Sequence, residues 1–330
     1  MRKTKFTPPK RVLNALENTL DTLIKDIEIR AYWNGLRDGG SCYSDAIELT
    51  QVKFIVSFNG MSTGHTALEN VGIKVGKYYS SEIKPVAIKL TQHHYPDTIQ
   101  LGDVSKWKEW DIDWKNIDMV LSGSPCQDLS IAGKQKGLEG ERSSLFWVFV
   151  DILNHIQKLN PKVLFLQENV GSAPKKDIGI MSRALGVYPV RINSKLVTAQ
   201  LRDRYYWSNI RTAPDGMFGD IVTDIPEPKD KGIMLQDILL DGYTDKPKAN
   251  CILESEERPC TSQKALWKRS VVNKFGNIVY VKKNEVRVLH QVELERLQGF
   301  EDGWTSILTR NESASLLGDG WTLPIIEHIF

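Results

Sequence analysis

An α/β protein with a doubly wound, mostly parallel sheet is what this sequence predicts, on three observations. Short apolar runs at 52–58, 117–121 and 162–167, and strand-like runs at 77–81, 98–101 and 205–210, recur along the chain as the strands of such a sheet require. Helical patterns lie between them, most plainly from Ser143 to Leu159. Residues able to do chemistry sit just past the C-terminal ends of these runs, where open α/β sheets bind their ligands.

Composition admits that fold. With 330 residues and 41% hydrophobic content, the chain can bury one large domain, or one plus a small one. A net charge of +2 is nearly balanced, so a nucleic-acid partner would have to be met by a local basic patch. Cys42, Cys126, Cys251 and Cys260 show no CxxC or histidine-containing zinc spacing, so no metal is expected. A disulfide framework is disfavoured in so long a chain, which points to a reducing compartment. No apolar run reaches the roughly 18 residues of a membrane span, and no signal-peptide pattern follows Met1. The reading is a soluble, intracellular protein.

The first 50 residues are expected to be a helical extension. After a basic start, Leu13, Leu16, Leu20, Leu23, Ile24 and Ile27 recur at helical spacing and predict an amphipathic helix to about Arg30. Docking on the main domain is the plain expectation for its stripe; a dimer contact or a nucleic-acid-facing arm are the rivals. Gly35, Gly39 and Gly40 punctuate a loop before the sheet begins near Gln51.

Val52 to Phe58 is the first strand, followed by Asn59-Gly60-Met61-Ser62-Thr63-Gly64 and a helix through Leu68. Strand, glycine turn and helix form a nucleotide-site pattern, although tight βα turns need glycine for structural reasons too. The glycines are spaced G-x-x-x-G, without the G-x-G-x-x-G arrangement that admits a pyrophosphate, so a cofactor without phosphates fits better. Glu82 ends the next strand-like run 22 residues after Gly60, the offset of an acid that accepts from ribose hydroxyls. A third strand delivers Gly102-Asp103-Val104, where a carboxylate can accept from an adenine amino group. An adenosyl group without phosphate points to S-adenosylmethionine.

The strand over 117–121 delivers Gly123-Ser124-Pro125-Cys126-Gln127 at its end. A single cysteine is usually a small buried hydrophobe. This one opens a polar segment to Ser144 with Gly133, Gly137 and Gly140 and the cations Lys134, Lys136 and Arg142, which favours a thiolate on a loop that can move. The strand over 162–167 delivers Glu168, again past a C-terminal end, so acid and thiol open on one crevice. Alone, Glu168 would read as a helix cap or a solvated acid. Gln200-Leu201-Arg202-Asp203-Arg204 precedes the last strand-like run and, taken alone, reads equally as an exposed edge strand.

From Arg211 to Glu285 periodicity fades, which predicts a small, irregular inserted region. Thr261 to Lys283 holds six basic residues (Lys264, Lys268, Arg269, Lys274, Lys282, Lys283) and no acid, with Trp267, Phe275 and Tyr280 interleaved. A charge run is most often a solvated face; with no counter-charge in an otherwise balanced protein, a phosphate-contacting surface is the better reading.

These motifs carry a family resemblance. Gly123-Ser124-Pro125-Cys126-Gln127 resembles the nucleophile motif of the C5-cytosine DNA methyltransferases, and Ser124-Pro125-Cys126-x-Asp128-Leu129-Ser130 is similar to their de novo branch. Phe58-x-Gly60-x-x-x-Gly64, Glu82 and Asp103 resemble the first three cofactor motifs, with Asn59 where that branch has Asp. Gln200-x-Arg202-x-Arg204, the stretch Val286 to Phe300, and Leu317-Gly318-Asp319-Gly320-Trp321 resemble later motifs in family order.

The resemblance implies a Rossmann-like methyltransferase fold that binds S-adenosylmethionine and releases S-adenosylhomocysteine. Phe58 would stack on adenine, with Asn59, Gly60, Thr63 and Gly64 at the methionine part, Glu82 and Ile83 at the ribose, and Asp103 and Val104 at the base. Pro125, Asp319, Gly320 and Trp321 would complete that site. Catalysis would rest on Cys126, Glu168, Arg202 and Arg204, with Gln127, Ser130, Ile131 and Lys134, then Lys264, Lys268, Arg269 and Lys274, facing double-stranded DNA.

The implied organisation is a catalytic domain over 51–210, a target-recognition region over 211–285 and a returning segment over 286–330, in a prokaryotic or phage-infected cell, as monomer or homodimer. A catalytically silent relative, an RNA methyltransferase and a nicotinamide dehydrogenase are the rivals. The first is disfavoured by the intact Cys126, Glu168 and arginines, the second by the Pro-Cys-Gln context, the third by the glycine spacing.

Overall fold

The computed structural model describes residues 52–124, 144–215, 219–260, 262–273 and 276–330. The expected N-terminal helix, the loop with Pro125, Cys126, Gln127, Ser130, Ile131 and Lys134, and also Lys274, lie outside the described residues.

The apolar runs become strands because both of their faces have somewhere to be buried. In chain order the elements are β1 (Val52–Ser57), α1 (Thr63–Asn70), β2 (Val75–Ser81), α2 (Pro85–His94), β3 (Ile99–Gln100), β4 (Met119–Ser122), α3 (Ser144–Leu159), β5 (Leu164–Val170), α4 (Lys175–Leu185), β6 (Val190–Asn193) and β7 (Asp203–Ser208). The strands form a seven-stranded sheet in the order β3-β2-β1-β4-β5-β7-β6. Only β7 runs against the rest, antiparallel to both β5 and β6. This is the doubly wound, mostly parallel architecture read from the sequence.

Side-chain alternation divides the core in two. Phe54, Val56, Tyr78, Met119, Leu121, Leu166 and Tyr206 face one layer. Ile55, Tyr79, Val120, Phe165 and Trp207 face the other, under Phe146, Phe149, Ile152 and Ile156 of α3 and Met181 of α4. The strand order reverses between β1 and β4, so the helices that follow them lie on opposite faces of the sheet and a crevice is left past the strands' C-terminal ends.

Two strand limits differ from the sequence reading, for one reason. β5 does not stop at Gln167; Glu168, Asn169 and Val170 continue it by pairing with Tyr206, Tyr205 and Arg204 of β7. Glu168 therefore sits inside a strand, and Arg204 inside its neighbour. The partner strand arrives from later in the chain and runs the other way, which no local pattern reveals.

The remaining elements are β8 (Thr212–Asp215) and β9 (Asp220–Thr223), which form a hairpin, α5 (Glu254–Glu257), α6 (Gln263–Trp267), β10 (Val279–Lys282) paired with β11 (Glu285–Arg287), α7 (Gln291–Gln298), α8 (Arg310–Asp319) and α9 (Leu323–Ile329). Glu293 of α7 ties the inserted region to this last layer. Its fully buried carboxylate accepts from Arg287 (2.7 Å), the His290 amide (2.7 Å) and the Leu240 amide (2.8 Å). Helix α9 returns to pack on α1, beside the crevice.

Candidate active site

At the switch between β1 and β4 lies a cavity of about 510 Å³, within the range of small-molecule sites. Its lining gathers Phe58, Asn59, Gly60, Thr63, Glu82 and Ile83, with Asp103, Val104, Glu168, Arg202, Arg204, Asp319, Gly320 and Trp321, from six separate stretches of sequence. Gly64 is not among the lining residues. A Cβ there would stand 2.7 Å from Leu121 Cδ1 and 3.2 Å from the Tyr78 hydroxyl, so this glycine is required for α1 to approach the sheet.

The loop after β1 is held in an uncommon shape. Phe58 and Ser62 adopt left-handed φ values of 61° and 62°, at a cost of about 1–3 kcal/mol each that the surroundings must offset. Glu82 supplies part of that. One carboxylate oxygen accepts from the Gly60 amide (3.0 Å) and the other from the Ile83 and Lys84 amides (2.8 and 2.9 Å). A carboxylate has about four acceptor positions, so one remains for a ligand hydroxyl.

Asn59 lines the cavity, yet its carboxamide is turned into the protein. Its Nδ2 donates to Ser62 Oγ (2.9 Å) and Thr91 Oγ1 (3.2 Å), and its Oδ1 accepts from the Tyr78 hydroxyl (3.1 Å). Beyond Tyr78, His65 is sandwiched between the rings of Tyr78 and Tyr95, with centroids 4.5 and 3.8 Å away. Burial lowers the His65 pKa to about 4, so the imidazole is neutral near pH 7. This network has no signal in the sequence, since its members come from β1, α1, β2 and α2.

At the end of β3, beside β2, Asp103 accepts from the amide (2.9 Å) and hydroxyl (2.8 Å) of Ser105, which holds its carboxyl below the usual carboxylate range. Lys84 meets Asp319 at 2.5 Å across the mouth. Gly123 lies under Trp321, where a Cβ would stand 2.7 Å from the indole Nε1.

Adjacent strands supply a buried acid with its cation. Glu168 is 8% exposed and its Oε1 lies 2.8 Å from Arg204 Nε. Arg204 also donates to the Asp203 carbonyl (2.8 Å). Arg202, 3% exposed, instead clamps the C-terminal end of α8, with Nη2 donating to the carbonyls of Gly318 (3.1 Å) and Gly320 (2.7 Å). The sequence reading treated the two arginines alike, whereas the fold gives them different partners. Arg202 Nη1 further donates to Cys251 Sγ at 3.1 Å, with Arg204 Nη2 at 3.8 Å. Burial pushes the Cys251 thiol up and the two guanidiniums, acting together, bring its pKa below the usual value. Cys251 lies in a segment without periodicity, so sequence reasoning had no reason to bring it here.

The basic stretch is less uniform than its composition. Lys264 and Lys268 are exposed. Arg269 is half-buried and donates to the Arg258 carbonyl (2.7 Å), and Lys282 is paired with Glu285 (2.7 Å).

The fit to an adenosyl cofactor rests on the lining. It offers an aromatic ring, two carboxylates at the ends of successive strands, and cations that are already engaged by Asp319, Glu168 or main-chain carbonyls. Such a cavity suits a nucleoside without phosphates.

Fold and site together define an α/β protein of the Rossmann-like methyltransferase class, with an acid–arginine pair beside a nucleoside-sized cavity. Residues 52–258 match the model of the C-5 cytosine-specific DNA methylase family, and the chain belongs to that family. It is 31% identical over 210 residues to the type II methyltransferase M.NlaIV of Neisseria lactamica, covering 56% of this chain and 47% of that protein. The chain thus spans about half the length of that relative. It is 23% identical over 321 residues to M.HhaI of Haemophilus parahaemolyticus, covering 86% of this chain and 94% of that one. Among solved structures, the Entamoeba histolytica methyltransferase EhMeth shares the fold with a TM-score of 0.61 at 17% identity, over 84% of this chain and 96% of that one.

Proposed function

We propose that this chain methylates C5 of cytosine in double-stranded DNA. The observation that carries the reading is the Glu168–Arg204 pair at the wall of a cavity that also presents Phe58, Glu82, Asp103 and Trp321. S-adenosylmethionine, when bound there, supplies an electrophilic methyl group and leaves as S-adenosylhomocysteine. Phe58 would face the adenine, Glu82 the ribose hydroxyls and Asp103 the adenine amino group, with Trp321 closing the wall.

C5 of cytosine is a poor nucleophile, and the proposed chemistry first raises its electron density. The Cys126 thiolate bonds to C6, and the C5–C6 π pair shifts into the ring as Glu168 delivers a proton to N3. Arg204, held against Glu168, orients that acid and places positive charge beside the base as negative charge builds on the ring. C5 then takes the methyl group. Loss of the C5 proton to a base restores the double bond and expels the Cys126 thiolate, and N3 returns its proton to Glu168.

None of these atoms is reachable in a stacked duplex, so the base must be extruded at a cost of a few kcal/mol. In this reading 51–210 is the catalytic domain, 211–285 reads the target, and 286–330 returns to the cofactor. Exposed Lys264 and Lys268 meet phosphates, as do side chains from the loop after Cys126.

The test is transfer of labelled methyl from S-adenosylmethionine to duplex DNA by the purified protein, by Cys126→Ala and by Glu168→Gln. Transfer by the wild type and none by Cys126→Ala is expected. Label entering RNA but not DNA would overturn the substrate assignment.

A further inference from the structure

We infer that Ser124 is a positioning residue that couples the nucleophile's segment to the strand bearing the acid. This rests on the functional reading above. The backbone ladder between β4 and β5 has its last pair at Ser122 and Gln167. Beyond it β5 stays paired only with β7, through Val170, while the chain from β4 leaves the sheet.

One side-chain contact extends the register past that point. Ser124 is 3% exposed, and its Oγ accepts from Gln167 Nε2 at 2.9 Å and from Asn169 Nδ2 at 3.4 Å. Gln167 and Asn169 are themselves buried and flank Glu168 on both sides. Successive strand residues point to opposite faces, so two amides grip Ser124 on one face while the carboxylate between them is free to meet Arg204 on the other.

Further bonds fix the two amides in turn. Gln167 Nε2 also donates to the Glu168 carbonyl (2.6 Å), and Asn169 Oδ1 accepts from the Val170 amide (2.8 Å). Neither can follow Ser124 if it moves. On its other side Gly123 is blocked by the Trp321 indole. The chain is therefore held from two directions two residues before Cys126. A hydroxyl at 124 fixes where the chain leaves β4 relative to Glu168, two residues ahead of the proposed nucleophile.

The test uses the full-length protein and duplex DNA with 5-fluorocytosine at the target position, where C5 cannot lose its fluorine and the enzyme stays covalently attached. Adduct formation rate, cofactor affinity and thermal midpoint are measured for wild type, Ser124→Ala and Ser124→Thr. At least a tenfold slower adduct rate is expected for Ser124→Ala, with cofactor affinity within twofold of wild type, and recovery to within threefold for Ser124→Thr, which keeps the hydroxyl. An unchanged rate in Ser124→Ala, a parallel loss of cofactor affinity, or no recovery in Ser124→Thr overturns the inference. If the wild type itself forms no adduct, it is the functional reading that fails.

Discussion

Arg204 meets Glu168 side-on, Nε to Oε1 at 2.8 Å, with the two residues on adjacent antiparallel strands and both side chains almost wholly withdrawn from solvent. A planar guanidinium can bond the acid through Nε while its Nη1 holds the Asp203 carbonyl, a fixed fork that a lysine ammonium cannot reproduce. Arg204→Lys should lower the turnover number by about 10- to 100-fold, and Arg204→Ala by about 100- to 1,000-fold, the scale seen when one preorganised donor is lost. Cofactor affinity, measured by titration, should stay within a few-fold in both.

Arg202 has a different task. Its guanidinium holds the carbonyls of Gly318 and Gly320, so Arg202→Ala strands buried acceptors. A loss of about 2–3 kcal/mol is expected, as for hydrogen bonds to charged groups. Urea unfolding should show a lower midpoint with an unchanged slope.

Glu257 makes stability depend on pH. It is fully buried, and burial pushes its pKa up from 4.5 to about 7, against the bonds from Asn277 and the charge of Arg310. Between those values the native protein binds more protons than the unfolded chain, so this group's contribution falls as pH rises from about 4.5 to about 7 and is level above that. Glu257→Gln should remove a slope on the order of 1 kcal/mol per pH unit from the difference between the two proteins, read from unfolding curves across that range.

A methyl group at position 123 would meet the rigid indole of Trp321. Gly123→Ala should cost about 1–3 kcal/mol, as overpacking does. By shifting Trp321 it should also weaken cofactor binding about tenfold. Urea unfolding reports the first change, and tryptophan fluorescence during cofactor titration the second.

The strands along the chain and the residues past their ends were legible because buried strands are local apolar runs and ligand sites follow their C-termini. Phe58, Glu82, Asp103 and Glu168 all line one cavity for that reason. What local pattern does not carry is who meets whom across the sheet. The inward turn of the Asn59 carboxamide depends on Thr91 and Tyr78, 32 and 19 residues away. The continuation of β5 through Glu168 depends on β7, and the division of labour between Arg202 and Arg204 depends on carbonyls more than 110 residues further on. Arg269 shows the same limit of composition, for a cation counted toward a basic surface is turned onto the Arg258 carbonyl.

The most direct measurement is bisulfite sequencing of duplex DNA after incubation with the protein and S-adenosylmethionine, with Cys126→Ala alongside. Cytosines protected from conversion at one recurring short sequence, and none with the variant, are the predicted result. Complete conversion of every cytosine by a folded wild-type protein that binds the cofactor would contradict the account.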